Sequence, residues 1–200
     1  MTGRRRIAGL TLLIAGGLLF SFAGARYAMG AVVQDEARRQ WDEANAHSAL
    51  NAARALAIRD HSLGPLVEGA PVARLVIPRI GLDEIVLEGV SDNSMNGGPG
   101  HFPGSPLPGE QGNAIISAHR DRHFKHFDEL AIGDTIRTES GAQGTTWVVV
   151  SKRVVDKAMP ALFPSKTATL TLTTCWPIRY LGSAPDRLIV TAKPVDRRKD

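Results

Sequence analysis

The chain has 200 residues, enough for one domain of ordinary size with attachments. With 43% hydrophobic and 22% charged residues it has the composition of a folded protein, which excludes intrinsic disorder except at the tips. The net charge of +4 does not point to nucleic acid: Arg4, Arg5 and Arg6 precede an apolar run, Arg197, Arg198 and Lys199 lie in the last four residues, and neither set interleaves with aromatic residues.

Residues 7–25, IAGLTLLIAGGLLFSFAGA, carry no charge. About 20 apolar residues cross a bilayer as a helix, so residues 1–30 are read as a cytoplasmic tip and a membrane anchor, with membrane lipid as its partner. A cleaved signal peptide shares the basic start and the small residues, but its apolar core usually runs to about 7–15 residues. An uncleaved single-pass span is therefore the preferred reading. The arginines ahead of it hold the N-terminus in the cytoplasm, which puts the rest of the chain outside the cytoplasmic membrane under either reading.

Residues 31–62 are rich in Ala, Arg and Glu, and residues 34–60 hold neither Gly nor Pro. That composition favours helix, and Asp35 stands four residues before Arg39, where opposite charges support one. The segment is read as a helical stalk holding the domain off the membrane, with a docking helix as the alternative. Residues 63–71 form a linker, broken by Gly64, Pro65, Gly69 and Pro71. The folded domain is expected at 72–194 and a charged tail at 195–200.

Within the domain, ARLVIPRIGL and EIVLEGV read as two strands of a hairpin, split by Gly81 and Asp83. Residues 92–112 form a long Gly/Pro loop. NAIISAH is a buried strand ending at His119, HFDELAIGDTIRTE a helical turn and a strand, and TTWVVVSKRVV, TATLTLTTC and DRLIVTA three further strands. Short strands separated by turns, with no alternation of strand and long helix, predict a mostly β fold, a largely antiparallel barrel or sandwich.

Cys175 is the single cysteine. In an oxidising compartment it cannot form a disulfide within its own chain, so it is an intermolecular link, a reactive thiol, or a small buried hydrophobe. In TATLTLTTC, Leu170 and Leu172 share one face of the strand, Thr169, Thr171 and Thr173 the other. Cys175 falls where Pro177 ends the ladder, and that rim position favours a reactive thiol.

Such a thiol needs a base or a positive charge beside it. Arg187 opens the strand after Cys175, across an eleven-residue loop at 176–186, and antiparallel pairing would bring the two together. His119 ends its strand as Cys175 ends its own, so parallel strands would put both at one rim. A thiol, an imidazole and a guanidinium there supply nucleophile, proton carrier and oxyanion stabiliser. Arg179 rivals Arg187 for the cationic role, though its loop position fixes it less well.

NAIISAHRD, the downstream TLTLTTCWP and an Arg twelve positions after the Cys resemble the sortase family of membrane-anchored cysteine transpeptidases. RLVIPRIGLDEIVLEGV, GGPGHFPGSPLPGEQG and HFDELAIGDTIRTE extend the resemblance over about residues 72–192. The look is nearest to class D, class E or Gram-negative-type sortases. The resemblance implies an eight-stranded sortase-type β-barrel with short helices, Cys175 as nucleophile, His119 as general acid and base, and Arg187 at the scissile carbonyl. It implies as partners an exported protein carrying an LPXTG-like C-terminal sorting signal and an amine acceptor, either a cell-wall peptide or a protein subunit. Ala118, Thr174 and Trp176, which flank the His and the Cys, are expected to bind substrate. No acidic cluster resembles the calcium site of some sortases, so neither metal nor cofactor is expected.

Three other readings compete. An L,D-transpeptidase would need a Ser-His-Gly-Cys type of motif, where this chain has Thr173 and Thr174 before Cys175. HRDRHFKH could offer His119, His123 and His126 to a metal, but Arg120, Arg122 and Lys125 crowd the site with positive charge. A membrane-tethered interaction module with an incidental thiol would keep its function without Cys175.

Overall fold

The computed structural model describes residues 2–46, 66–141, 143–159 and 164–195. The second half of the expected stalk, the start of the linker and most of the charged tail lie outside the described residues.

One helix, α1 (Thr2–Ala46), runs through the expected anchor and on into the stalk without a break. It is long and apolar enough to cross a membrane. Leu12, Leu13, Leu18 and Phe20 stand exposed on it, which suits a lipid-facing surface and no aqueous one.

Eight strands follow: β1 (Pro71–Ile77), β2 (Leu82–Glu88), β3 (Gly100–His101), β4 (Asn113–Ser117), β5 (Thr135–Ser140), β6 (Gln143–Asp156), β7 (Thr169–Trp176) and β8 (Asp186–Pro194). They close into a barrel in the order β1-β2-β3-β4-β7-β8-β6-β5. Most neighbours are antiparallel, but β2 with β3 and β4 with β7 run parallel, so the barrel is mixed. Inside lie Leu75, Ile77, Val86, Ile116, Ile136, Trp147, Leu170, Leu172 and Val190. Trp147 is fully buried, and its indole N–H donates to Thr138 Oγ1 at 2.8 Å, which satisfies its one polar group.

The hairpin β1–β2 turns through a 3-10 turn at Pro78–Ile80 that Gly81 closes at φ 63°, a left-handed conformation that favours glycine. Residues 92–112, expected to be loop throughout, hold a short helix, α2 (Asp92–Gly97), and the two residues of β3. Ser91 caps α2 by accepting from the Ser94 amide, a signal masked in the sequence by the surrounding glycines.

Where a spacer was expected, the described half of the stalk segment lies on the barrel. Because β3 is only two residues long, β2 has an open outer edge from Asp83 to Ile85. The Gln34 amide covers it, donating to Ile85 O at 2.9 Å and accepting from Ile85 N at 3.0 Å, while Arg38 donates to Asp83 O at 2.6 Å. This shields an unpaired strand edge. Ala37 and Trp41 bury the outward side chains of Ile85 and Leu87. The approach is close: a Cβ added to Gly30 would fall 2.7 Å from Asn96 O.

Candidate active site

The sequence expectation for Cys175 and Arg187 required antiparallel pairing, and β7 and β8 pair that way with Cys175 directly opposite Arg187. The expectation for His119 required parallel strands. β4 and β7 are parallel, with Ser117 opposite Thr173, and the ladder extends one step further through Ala118 N to Thr173 O at 3.2 Å. His119 thus leaves β4 two residues beyond Ser117, as Cys175 stands two residues beyond Thr173. The three groups share one rim.

Strand alternation decides which side of the wall they occupy. Leu170 and Leu172 of β7, Leu188 and Val190 of β8, and Ala114 and Ile116 of β4 all point into the core. Cys175 and Arg187 are out of phase with these residues, so both lie on the outer face. The thiol is exposed, and the Arg187 side chain has no hydrogen-bond or ion-pair partner among the described residues. Next to Cys175 on the same face, Thr173 is buried with an Oγ1 that lacks a partner among the described residues. Sequence reasoning passed over Thr173 as one member of a threonine row.

Half-burial pushes the His119 imidazole below its ordinary pKa. Asp121 and Asp92 pull it back up, and Arg122 and His123 push it further down. A depressed pKa leaves the ring neutral at pH 7, ready to accept a proton.

The residues flanking His119 and Cys175 fall on the other side. Ala118 belongs to the core, the Thr174 hydroxyl donates to Ala118 O at 2.7 Å, and Trp176 packs against the core cluster. Thr174 therefore ties β4 to β7 behind the nucleophile, and its hydroxyl is occupied. Arg179 stands exposed in the loop after β7.

HRDRHFKH forms turns, with no helix face for histidines to share. His123 Nδ1 pairs with Glu84 at 2.5 Å and His126 Nδ1 with Glu129 at 2.9 Å. Among the described residues no group of three His, Cys, Asp or Glu gathers in a metal-holding arrangement. A cavity of about 430 Å³ lies between α1 and the barrel, lined by Tyr27, Gln34, Glu84, Arg122 and His123 among others. Cys175, His119 and Arg187 are not among the residues that line it.

A closed eight-stranded barrel with a cysteine, a histidine and an arginine at one outer rim, preceded by an apolar helix, is the architecture reached. The chain belongs to the sortase family, whose domain model matches residues 75–195. It is 34% identical over 123 residues to sortase D of Bacillus subtilis, a match spanning 60% of this chain and 62% of that protein. The match thus covers less than two thirds of that relative's length. Among solved structures, the Clostridium perfringens sortase D5 transpeptidase superposes with a TM-score of 0.69 at 23% identity, covering 82% of this chain and 99% of the other. Clostridium perfringens sortase C, solved with the C-terminal cell wall sorting motif, superposes at 0.59 with 25% identity, covering 66% of this chain and 74% of the other. Within the family the chain is class D-like: it is 30% identical to the catalytic domain of B. anthracis SrtD, covering 64% of this chain and 90% of the other with a TM-score of 0.55.

Proposed function

We propose that this protein is a cysteine transpeptidase that cleaves a C-terminal sorting signal of exported proteins and transfers them to an amine. The observation that carries this reading is the in-register placement of Cys175 opposite Arg187 on the outer face, at the rim where β4 delivers His119. The sorting motif named for the Clostridium perfringens sortase C structure supports the substrate class.

In the first half-reaction neutral His119 takes the thiol proton, and Sγ attacks the carbonyl carbon of the scissile peptide bond. The Arg187 guanidinium faces the oxygen on which negative charge develops. His119 then returns the proton to the leaving amine, and a thioester joins Cys175 to the N-terminal fragment. In the second half-reaction an acceptor amine attacks the thioester, its proton passes to His119, and the thiol is restored. The amine is a cell-wall peptide or a protein subunit, and α1 anchors the enzyme with its N-terminus in the cytoplasm and the barrel outside.

The test is intact mass spectrometry of the full chain in detergent, incubated with a panel of LPXTG-like peptides beside Cys175→Ala. The expected result is a mass gain equal to the N-terminal peptide fragment, absent in the variant. If no peptide gives an adduct and the thiol resists alkylation, Cys175 is structural and the transpeptidase reading fails.

A further inference from the structure

The loop from Pro177 to Pro185 connects the nucleophile's strand to that of Arg187. It is anchored at its ends, where Ile178 and Ala184 are buried, but its tip is open, with Leu181 98% exposed and Tyr180 49% exposed. Among the described residues, no backbone-to-backbone hydrogen bond involves residues 178–184. Free carbonyls and an exposed tip would leave such a segment mobile.

One side chain ties it down. Arg120, the residue after His119, donates from Nη1 to Pro177 O at 2.7 Å and from Nη2 to Tyr180 O at 3.1 Å and Gly182 O at 2.7 Å. Its guanidinium also lies over the Tyr180 ring, 5.7 Å from the centroid, within the range of a cation–π contact. Among the described residues these are the only hydrogen bonds made to the backbone from Pro177 to Ala184. A planar fork that reaches three carbonyls and stacks on an aromatic ring is a role that lysine cannot fill. All three carbonyls and the ring that its guanidinium meets belong to the loop.

We propose that Arg120 is a positioning residue: it straps the 177–185 loop to the segment carrying His119, so that one wall of the peptide site is set before substrate arrives. This deepens the transpeptidase reading and rests on it. Preorganising that wall spares the ordering cost at the moment of binding, so the strap acts on peptide capture and leaves the chemistry at Cys175 alone.

The experiment compares the full chain in detergent with Arg120→Ala and Arg120→Lys. Three readouts are taken: limited chymotrypsin cleavage after Tyr180 followed by intact mass, single-turnover thioester formation against peptide concentration, and the pH profile of Cys175 alkylation by iodoacetamide. In both variants cleavage after Tyr180 should quicken, because the exposed loop tip is released from its strap, and half-saturating peptide should rise by about tenfold, the size expected when a preformed site must be ordered on binding. The maximal acylation rate should stay within about threefold and the alkylation profile should not move, because the reacting groups are untouched. Unchanged cleavage after Tyr180, or full recovery of peptide binding by Lys, overturns the proposal. If Arg120→Ala does not fold, Arg120→Lys, which keeps stem and charge, carries the same readouts. If wild type forms no adduct with any peptide, the transpeptidase reading fails separately, and loop cleavage still decides the strap.

Discussion

At the scale of single residues, the depressed pKa of His119 has a consequence with a definite sign. The folded protein holds the imidazole less basic than the unfolded chain does, where its value is near 6.5. The preference for the neutral ring is intact above that value and is lost as pH falls through the folded pKa. Stability should therefore drop on acidification from pH 7 toward 5 more in wild type than in His119→Gln, read as urea midpoints across that range. Acylation should show its acidic limb below pH 6.5 for the same reason, and a limb above 6.5 would refute the neutral base. Arg187→Ala should slow acylation by about 10²–10³, the cost of losing one oxyanion donor. The variant's Cys175 should alkylate at the wild-type rate, which separates carbonyl stabilisation from thiol activation.

At the scale of elements, a few buried polar contacts hold strands to loops and helix. His101 Nδ1 lies 2.6 Å from Glu88 Oε2 and its Nε2 lies 2.9 Å from Ser105 Oγ, joining β2, β3 and the following loop in a buried chain. Glu88→Ala would leave a buried ring nitrogen unpaired, an effect of about 1–3 kcal/mol, measurable by urea denaturation. Gln34→Ala would uncover the Ile85 amide and carbonyl, so hydrogen exchange at Ile85 should quicken while β7 and β8 stay protected. The Thr/Leu alternation of β7 and the hairpin break at Gly81 were legible because local chemistry writes them. β3 was not, because two residues carry no periodicity, and neither was the docked helix. Its contacts to β2 join residues 45 to 51 positions apart, and sequence spacing says nothing about such pairs.

At the scale of the whole molecule, α1 continues from the apolar stretch directly onto β2, so the barrel is contacted by the same helix that is long and apolar enough to cross a membrane. Cys175 is the single thiol of the chain and is exposed, which makes it a reporter of topology. In intact cells a membrane-impermeant maleimide should label wild type and leave Cys175→Ser unlabelled. Labelling only after the membrane is breached would place the barrel in the cytoplasm and reverse the proposed orientation.

Sequence by itself determined the apolar helix, the strand-rich domain, the lone thiol at a strand end, and the His and Arg that parallel and antiparallel pairing could bring to it. These follow from composition, alternation and chain breaks, all carried within a few residues. Only the tertiary structure decided that β4 and β7 run parallel and that Cys175 and Arg187 are in register. The same holds for Thr174 facing the core while Thr173 faces outward, and for Arg120 reaching carbonyls 57–62 residues away. The physical reason is that register and side-chain reach are set by barrel closure, which optimises many distant contacts at once and leaves no local trace in the chain.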